Sequence, residues 1–263
     1  MNEEKKFKLV TSKKTRYLLP NILTLAGVCL GISSIKFAID GNYSLSVIFI
    51  LVAAILDTLD GRIARLIKGT SDFGKELDSL TDFVSFGIAP VFILYFWELN
   101  NYGKLGWAIT LMYAVCCVLR LARFNLTKIS EQESWKNNFF EGVPSPAGGL
   151  LILTPLILEL TEINFNYNIK SITPYFTILI AFLLVSKIPT FSLKKISISS
   201  KTTIFILLTI GTSFILLLYY TFETLLIFSL IYLISIPVSY LYFKLENKKN
   251  FVETHDEEHE DVL

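Results

Sequence analysis

Charged side chains are scarce in the middle of this chain. Only 29 of its 47 charged residues fall within residues 17–243, although that stretch holds 227 of the 263 residues. A typical soluble domain carries about 25% charged residues, roughly twice this density. The shortage excludes a water-soluble globule. The hydrophobic content of 52%, which includes 21 phenylalanines, instead indicates an integral membrane protein.

Histidine and cysteine are also rare, with two and three residues respectively. Both histidines, His255 and His259, lie in the acidic end of the chain, so the apolar part offers no Ser–His or Cys–His arrangement for covalent catalysis. The cysteines, Cys29, Cys116 and Cys117, lie in apolar segments, where they act as apolar filler. The sequence therefore predicts neither a covalent intermediate nor a disulfide framework.

Long apolar runs divide the chain into predicted transmembrane helices. A helix of about 20 residues crosses the ~30 Å hydrocarbon layer of a bilayer. The runs show no period-two alternation, which excludes a β-barrel. We predict an all-α bundle of eight spans, near residues 17–38, 44–66, 78–98, 105–123, 146–161, 172–190, 203–221 and 223–243.

Basic residues alternate between the two sides of this arrangement. The N-terminal segment, the even-numbered connections and the C-terminal tail hold 21 of the 24 lysines and arginines, and the other side receives only Lys36, Lys104 and Lys170. The positive-inside rule therefore predicts a protein of the cytoplasmic membrane with both termini in the cytoplasm. Seven or nine spans would break the alternation.

The same pattern divides the chain into four predicted parts. No cleavable signal peptide is expected, because the first span is long and lacks a small-residue cleavage pattern. The parts are a basic arm or interfacial helix at 1–16, a catalytic six-helix core at 17–190, two additional helices at 191–243 and a charged cytoplasmic tail at 244–263.

Aspartate is concentrated in one short region. Five of the six aspartates between residues 17 and 243 fall within residues 57–82. Asp57 and Asp60 are three residues apart near the end of the second span, and Asp78 and Asp82 are four apart at the start of the third. Each pair therefore shares a helix face. A short connection makes the two helices neighbours, so we predict that four carboxylates converge at the inner membrane boundary.

Such a cluster is costly without cations. One aspartate in mid-membrane costs about 2.5–3.5 kcal/mol, and like charges also repel. An acidic interfacial loop is the alternative, but Asp57 and Asp60 lie too deep in a continuous apolar helix for it. Carboxylate oxygens suit Mg²⁺ or Mn²⁺, and four of them can hold a pair of ions. A two-metal site is a natural clamp for a diphosphate that undergoes in-line displacement.

Small and basic residues beside the aspartates fit a phosphate ligand. Gly61 and Ala64 let a ligand approach the backbone, and Arg65 follows one turn later. Gly74 precedes the third predicted span, where a helix N-terminus favours anions. Each residue alone is explained equally well by helix packing or by anchoring at the membrane surface. Their joint spacing supports the phosphate site.

The spacing of these eight residues forms a recognisable motif. It resembles the complete signature of the CDP-alcohol phosphatidyltransferase family. Written out, it is Asp57-x2-Asp60-Gly61-x2-Ala64-Arg65-x8-Gly74-x3-Asp78-x3-Asp82. Further blocks resemble the bacterial and archaeal phosphatidylserine synthase branch of that family. They are Pro20-Asn21-x2-Thr24 and residues 76–90, 120–125 and 142–146. The last two spans carry no matching motif.

The resemblance implies a reaction and a set of roles. The phosphatidyl group of CDP-diacylglycerol would pass to the hydroxyl of L-serine, with release of CMP. Asp57, Asp60 and Asp78 would ligate two divalent cations, Mg²⁺ or Mn²⁺. Asp82 would lie among the metal ligands and also act as general base. The resemblance further implies a homodimer in the lipid bilayer and no nucleic-acid partner.

The substrate-binding residues are less closely defined. The residues expected to bind CDP-diacylglycerol are Asn21, Thr24, Gly61, Ala64, Arg65 and Gly74. Ordinary helix packing is the alternative for Asn21 and Thr24. Arg120 and Arg123 are candidates for binding the serine carboxylate or a phosphate, and anchoring by the positive-inside rule is their alternative.

Three other functions remain open from the sequence. Another family member would use glycerol phosphate, inositol phosphate or an archaeal lipid as its partner, and the aspartate motif does not separate these acceptors. An intramembrane prenyltransferase also pairs aspartates with Mg²⁺, but it lacks the glycine–alanine–arginine frame. A cation transporter would use the carboxylates as ion ligands, but repeated halves are typical of transporters. The spans after residue 82 contain no second acidic cluster.

Overall fold

The computed structural model describes residues 13–67, 71–126, 139–161, 169–191 and 200–260. Within these ranges the chain is almost entirely helical, with one short antiparallel ribbon. The α-helices are α1 (Lys13–Ile39), α2 (Tyr43–Leu66), α3 (Asp72–Asp82), α4 (Ala89–Trp97), α5 (Lys104–Leu126), α6 (Ser145–Ile152), α7 (Thr154–Leu160), α8 (Thr173–Val185), α9 (Ser200–Tyr219) and α10 (Thr221–Glu260). The ribbon pairs β1 (Phe139–Glu141) with β2 (Pro189–Phe191), and Phe140 lies opposite Thr190.

The described ranges contain five helical stretches that are long and apolar enough to cross a membrane. They are Leu18–Ile39, Tyr43–Leu66, Asp72–Trp97, Lys104–Leu126 and Thr221–Leu245. These stretches correspond to the first four predicted spans and the eighth. Ile169–Val185 and Leu207–Tyr219 are shorter apolar helices. The protein is thus a multi-pass α-helical membrane bundle.

The fifth and sixth predicted spans are not single long helices. Residues 146–161 form α6 and α7, which are separated at Leu153. Pro155 follows the break, and its ring lacks the N–H that would continue the α6 hydrogen bonds. The sixth predicted span, at residues 172–190, corresponds to α8. This helix ends at Val185, because the chain continues into β2 at Pro189. The ribbon was not predicted.

The two ends of the chain are helical where the structure describes them. Helix α1 begins at Lys13, inside the segment predicted as an arm or interfacial helix. Residues 1–12 lie outside the described residues, so the rest of that prediction stays open. Helix α10 continues to Glu260 and so includes most of the predicted tail at 244–263.

A π-helix at Phe83–Ile88 joins α3 to α4 within the third predicted span. Pro90 lacks the N–H that would bond the Phe86 carbonyl in a regular helix. The hydroxyl of Tyr113 on α5 donates to that carbonyl instead, at 3.1 Å. π-Helical turns are frequent at functional sites, and this one follows directly after Asp82.

Glycine lets α1 approach the π-helix closely. A methyl group on Gly31 would lie 2.8 Å from the Ser85 Oγ and 2.9 Å from its Cα, so α1 tolerates no larger side chain there without moving. The Ser85 hydroxyl also donates to the Gly27 carbonyl at 3.4 Å. Helix α1 packs along both α2 and α3. It is therefore the common support of the two helices that carry the aspartates.

Candidate metal centre

Three carboxylates meet where α2 and α3 approach each other. One oxygen from each of Asp57, Asp60 and Asp78 lies within 4.8 Å of the other two. The first two residues occupy one face of α2, and the third comes from α3. Within the described part of the chain, none of the three forms an ion pair with a lysine or arginine. An all-oxygen set of carboxylates fits a divalent cation such as Mg²⁺ or Mn²⁺.

The fourth predicted ligand, Asp82, lies beside this group and not within it. Asp82 follows Asp78 by one turn, and its carboxyl lies within hydrogen-bonding reach of Asp57. Both side chains line a small cavity together with Asp60 and Thr24. The Arg120 guanidinium interacts electrostatically with Asp82. Asp82 therefore lies next to the triad, at its edge.

Helix α1 contacts one of the carboxylates through Thr24. The Thr24 hydroxyl is buried and lies 2.5 Å from the Asp60 Oδ2 and 3.0 Å from the Pro20 carbonyl, two acceptors for its single proton. A hydrogen bond of this kind orients a carboxylate for a metal. Thr24 therefore contacts a predicted ligand, whereas the sequence prediction assigned it to the substrate.

Asn21 connects α1 to the start of α3. Its Oδ1 would lie 3.3 Å from a methyl group on Gly74. The backbone N–H of Gly74 donates to the Oγ of Ser71, which caps α3. Because α3 begins at Asp72, Gly74 lies inside its first turn, whereas the predicted span began at residue 78. The missing side chain of Gly74 leaves room for the Asn21 amide against this helix N-terminus.

The remaining motif residues lie at the end of α2. A methyl group on Gly61 would meet no atom within 4 Å, so the backbone here is open to a ligand. Ala64 is half-buried, and Arg65 is exposed in the last turn of the helix. The open face at Gly61 follows Asp60 directly, which leaves space for a phosphate beside the carboxylates.

The two arginines of α5 have different surroundings. Arg120 is 8% exposed, donates a hydrogen bond to the Ser145 hydroxyl and lies over the Phe124 ring at 5.6 Å from its centre. Arg123 donates to the carbonyls of Val185 and Ser186 at 2.7 and 3.0 Å and so caps the end of α8. Of the two, Arg120 is the one that interacts with Asp82.

Sequence reasoning gave no role to several polar contacts around the triad. Ser145 is fully buried against Arg120. The Asn125 amide donates to the Ser79 hydroxyl at 3.0 Å and thereby links α5 to α3. Ser79 lies within the aspartate motif, and Asn125 and Ser145 lie in two of the further blocks. Their positions in these motifs could have marked them as site residues. The hydrogen bond between Asn125 and Ser79, which are 46 residues apart, could not be predicted from the sequence.

The sequence of this chain is similar to those of known proteins. The sequence model of CDP-alcohol phosphatidyltransferases matches residues 17–241, which include every residue of the candidate site. The chain is also similar to several proteins named CDP-diacylglycerol–serine O-phosphatidyltransferase. The one from Helicobacter pylori strain 26695 is 34% identical over 200 residues, which cover 76% of this chain and 82% of that protein.

Two further relatives bear the same name. The Mycobacterium leprae protein is 38% identical over 185 residues, which cover 69% of this chain and 60% of that protein. The Bacillus subtilis protein is 32% identical over 159 residues, which cover 58% of this chain and 86% of that protein. Against the mycobacterial relatives, the match spans between 50% and 60% of their length.

Proposed function

Because this chain belongs to the CDP-alcohol phosphatidyltransferase family, we propose that it transfers the phosphatidyl group of CDP-diacylglycerol to the hydroxyl of L-serine. The products are phosphatidylserine and CMP. The meeting of Asp57, Asp60 and Asp78 within 4.8 Å carries the catalytic part of this proposal. The names of the relatives support serine as the acceptor.

The proposed metal ligands are Asp57, Asp60 and Asp78, with Asp82 at the edge of the site. They would hold two divalent cations, Mg²⁺ or Mn²⁺. When bound, these cations neutralise the diphosphate of CDP-diacylglycerol and the charge that develops on CMP. The hydrogen bond from the Thr24 hydroxyl keeps the Asp60 carboxylate oriented for binding a cation.

Asp82 is the proposed general base. It removes the proton of the serine hydroxyl while the hydroxyl oxygen forms a bond to the lipid-side phosphorus. The bond from that phosphorus to the bridging oxygen breaks, and CMP leaves with the electron pair. The displacement is direct, with no covalent intermediate on the protein.

The other motif residues bind the substrates in this proposal. The open backbone at Gly61 and the adjacent Ala64 admit the diphosphate, and Arg65 binds its charge. Asn21 and Gly74 form the nucleotide end of the site. The buried Arg120 binds the serine carboxylate. Arg123 instead holds the end of α8 through its hydrogen bonds to Val185 and Ser186.

The acceptor is tested directly with purified protein. CDP-diacylglycerol and Mn²⁺ are supplied with labelled serine, glycerol phosphate or inositol phosphate in parallel, and CMP and lipid product are measured. We expect product with serine alone, and none after EDTA removes the cations. Product with glycerol phosphate in place of serine would overturn the acceptor but leave the family assignment intact.

We further propose eight spans, both termini in the cytoplasm of the cell, a cytoplasmic active site in the inner membrane, and a homodimer. CDP and serine are water-soluble, whereas acyl chains belong in lipid, and a site at the cytoplasmic helix ends serves both. In sealed inside-out vesicles, a protease is expected to remove a tag placed after residue 263. Protection of the tag would contradict the orientation, and a monomer mass in native mass spectrometry would contradict the dimer.

A further inference from the structure

Two hydrogen bonds fix the register of α5 beside α3 and the π-helix. They join Tyr113 to Phe86 at 3.1 Å and Asn125 to Ser79 at 3.0 Å. On α5, Arg120 lies slightly past the midpoint from the first of these bonds to the second, and Asp82 lies slightly past the midpoint on the opposite segment. Since both segments are helical, Arg120 and Asp82 lie at about the same height in the bundle.

The Arg120 side chain is held from two sides at this height. Its guanidinium donates to the fully buried Ser145 hydroxyl and lies over the Phe124 ring, 5.6 Å from the ring centre. The Sγ of Cys117, one turn earlier on α5, lies 3.9 Å from the same Ser145 oxygen. The Ser145 hydroxyl therefore packs against one face of α5. Because a guanidinium has several N–H donors, the bond to Ser145 leaves others for a second acceptor.

The segment that carries Ser145 is closely packed against its neighbours. A methyl group on Gly149 of the same helix would lie 3.0 Å from the Phe86 Cβ and 3.1 Å from its Cα, so α6 tolerates no larger side chain there without moving. Before α6, the Gly142 N–H donates to the Ile188 carbonyl at 2.9 Å. The chain is thus held on both sides of Ser145, and its hydroxyl is a fixed acceptor for Arg120.

We propose that Ser145 is a positioning residue that selects acceptor alcohols carrying a carboxylate. By binding one N–H group of Arg120, it keeps the guanidinium at the height of Asp82, with other donors available to the acceptor. The carboxylate of the acceptor binds Arg120, and the hydroxyl of the same molecule reaches Asp82. This rests on the proposed function, in which Arg120 binds the serine carboxylate and Asp82 is the base.

The kinetic test uses Ser145→Ala, which removes only the hydroxyl. We expect the KM for L-serine to rise about three- to tenfold, because the acceptor must then order the Arg120 side chain when it binds. The kcat and the KM for CDP-diacylglycerol should not change, since Asp82 and the metal ligands are untouched. An unchanged KM for serine, or a fall in kcat alone, would overturn the proposal.

Ser46→Ala is the matched control. Ser46 is also fully buried, and its hydroxyl donates to the Ser34 carbonyl at 2.8 Å near the start of α2, several turns from Asp57. Each variant loses one buried hydrogen bond, but only Ser145→Ala should raise the KM for serine. An equal rise in Ser46→Ala would show that general loosening of the bundle causes the effect, and the positioning role would fall.

A double variant tests whether Ser145 acts through Arg120. Arg120→Lys replaces the planar guanidinium by an ammonium group, which has no fork for Ser145 to orient. Ser145→Ala should therefore raise the KM for serine by a smaller factor in the Arg120→Lys background than in the parent protein. The same factor in both backgrounds would mean that Ser145 acts on another group, contrary to the proposal.

Failure of the proposed function would give a different result from failure of this proposal. A parent protein that uses glycerol phosphate or inositol phosphate, and not serine, would overturn the acceptor assignment together with the role of Ser145. Serine transfer by the parent protein, with the same KM for serine in Ser145→Ala, would overturn the positioning role alone.

Discussion

Replacement of Asp78 by asparagine is expected to reduce product formation by about a thousandfold. Asp78 is the ligand that α3 contributes to a group otherwise carried by α2. A neutral amide there removes one charge from the cation site. Metal ions contribute several kcal/mol to such reactions, and each ~1.4 kcal/mol is a factor of ten in rate. The affinity for Mn²⁺, measured by electron paramagnetic resonance, should fall at least about tenfold.

Asp72→Asn is the control for this experiment. Asp72 lies on the same helix, is fully exposed and, among the described residues, forms a surface pair with Lys75 at 3.5 Å. Exposed pairs of this kind contribute little to stability, so this variant should keep its Mn²⁺ affinity and its activity. Retention of full Mn²⁺ affinity in Asp78→Asn would remove Asp78 from the metal site.

The convergence of the aspartates could be predicted because it depends on local rules. Residues three or four apart share a helix face, and a short connection keeps α2 and α3 together. The structure places Asp57, Asp60 and Asp78 in one group, as that argument requires. Their function as ligands remains a prediction. Asp82 lies at the edge of this group, and its role as the base remains a prediction as well.

The parts that could not be predicted depend on contacts between distant residues. Pro90 removes a hydrogen bond from Phe86, but the π-helix becomes acceptable because Tyr113, 27 residues away, donates to the freed carbonyl. The bond from Thr24 to Asp60 joins residues 36 apart. Neither pairing follows from the periodicity of a single segment.

Helix lengths show the same limit. An apolar run of 16 residues at 146–161 predicts one span, yet Pro155 divides it into α6 and α7. The ribbon of β1 and β2 joins segments some 50 residues apart, and its strands of three residues are too short to leave a pattern. Helix α10 packs against β2 of the same ribbon, and this contact could not be predicted from the sequence either.

Replacement of Asp82 by asparagine is expected to separate proton transfer from metal binding. Asparagine has nearly the same shape and can donate a hydrogen bond to Asp57, so the packing around the π-helix should persist. It cannot accept the proton of the serine hydroxyl. Loss of a general base costs about 10²–10⁴ in rate, so kcat should fall by that factor.

The affinity for Mn²⁺ distinguishes the two roles proposed for Asp82. Because its carboxyl lies outside the group of three, Asp82→Asn should bind Mn²⁺ within a few fold of the parent protein, whereas Asp78→Asn should not. An equal loss of Mn²⁺ affinity in both variants would show that Asp82 acts mainly as a metal ligand. Undiminished turnover in Asp82→Asn would exclude it as the base, and the proton of serine would then need another acceptor.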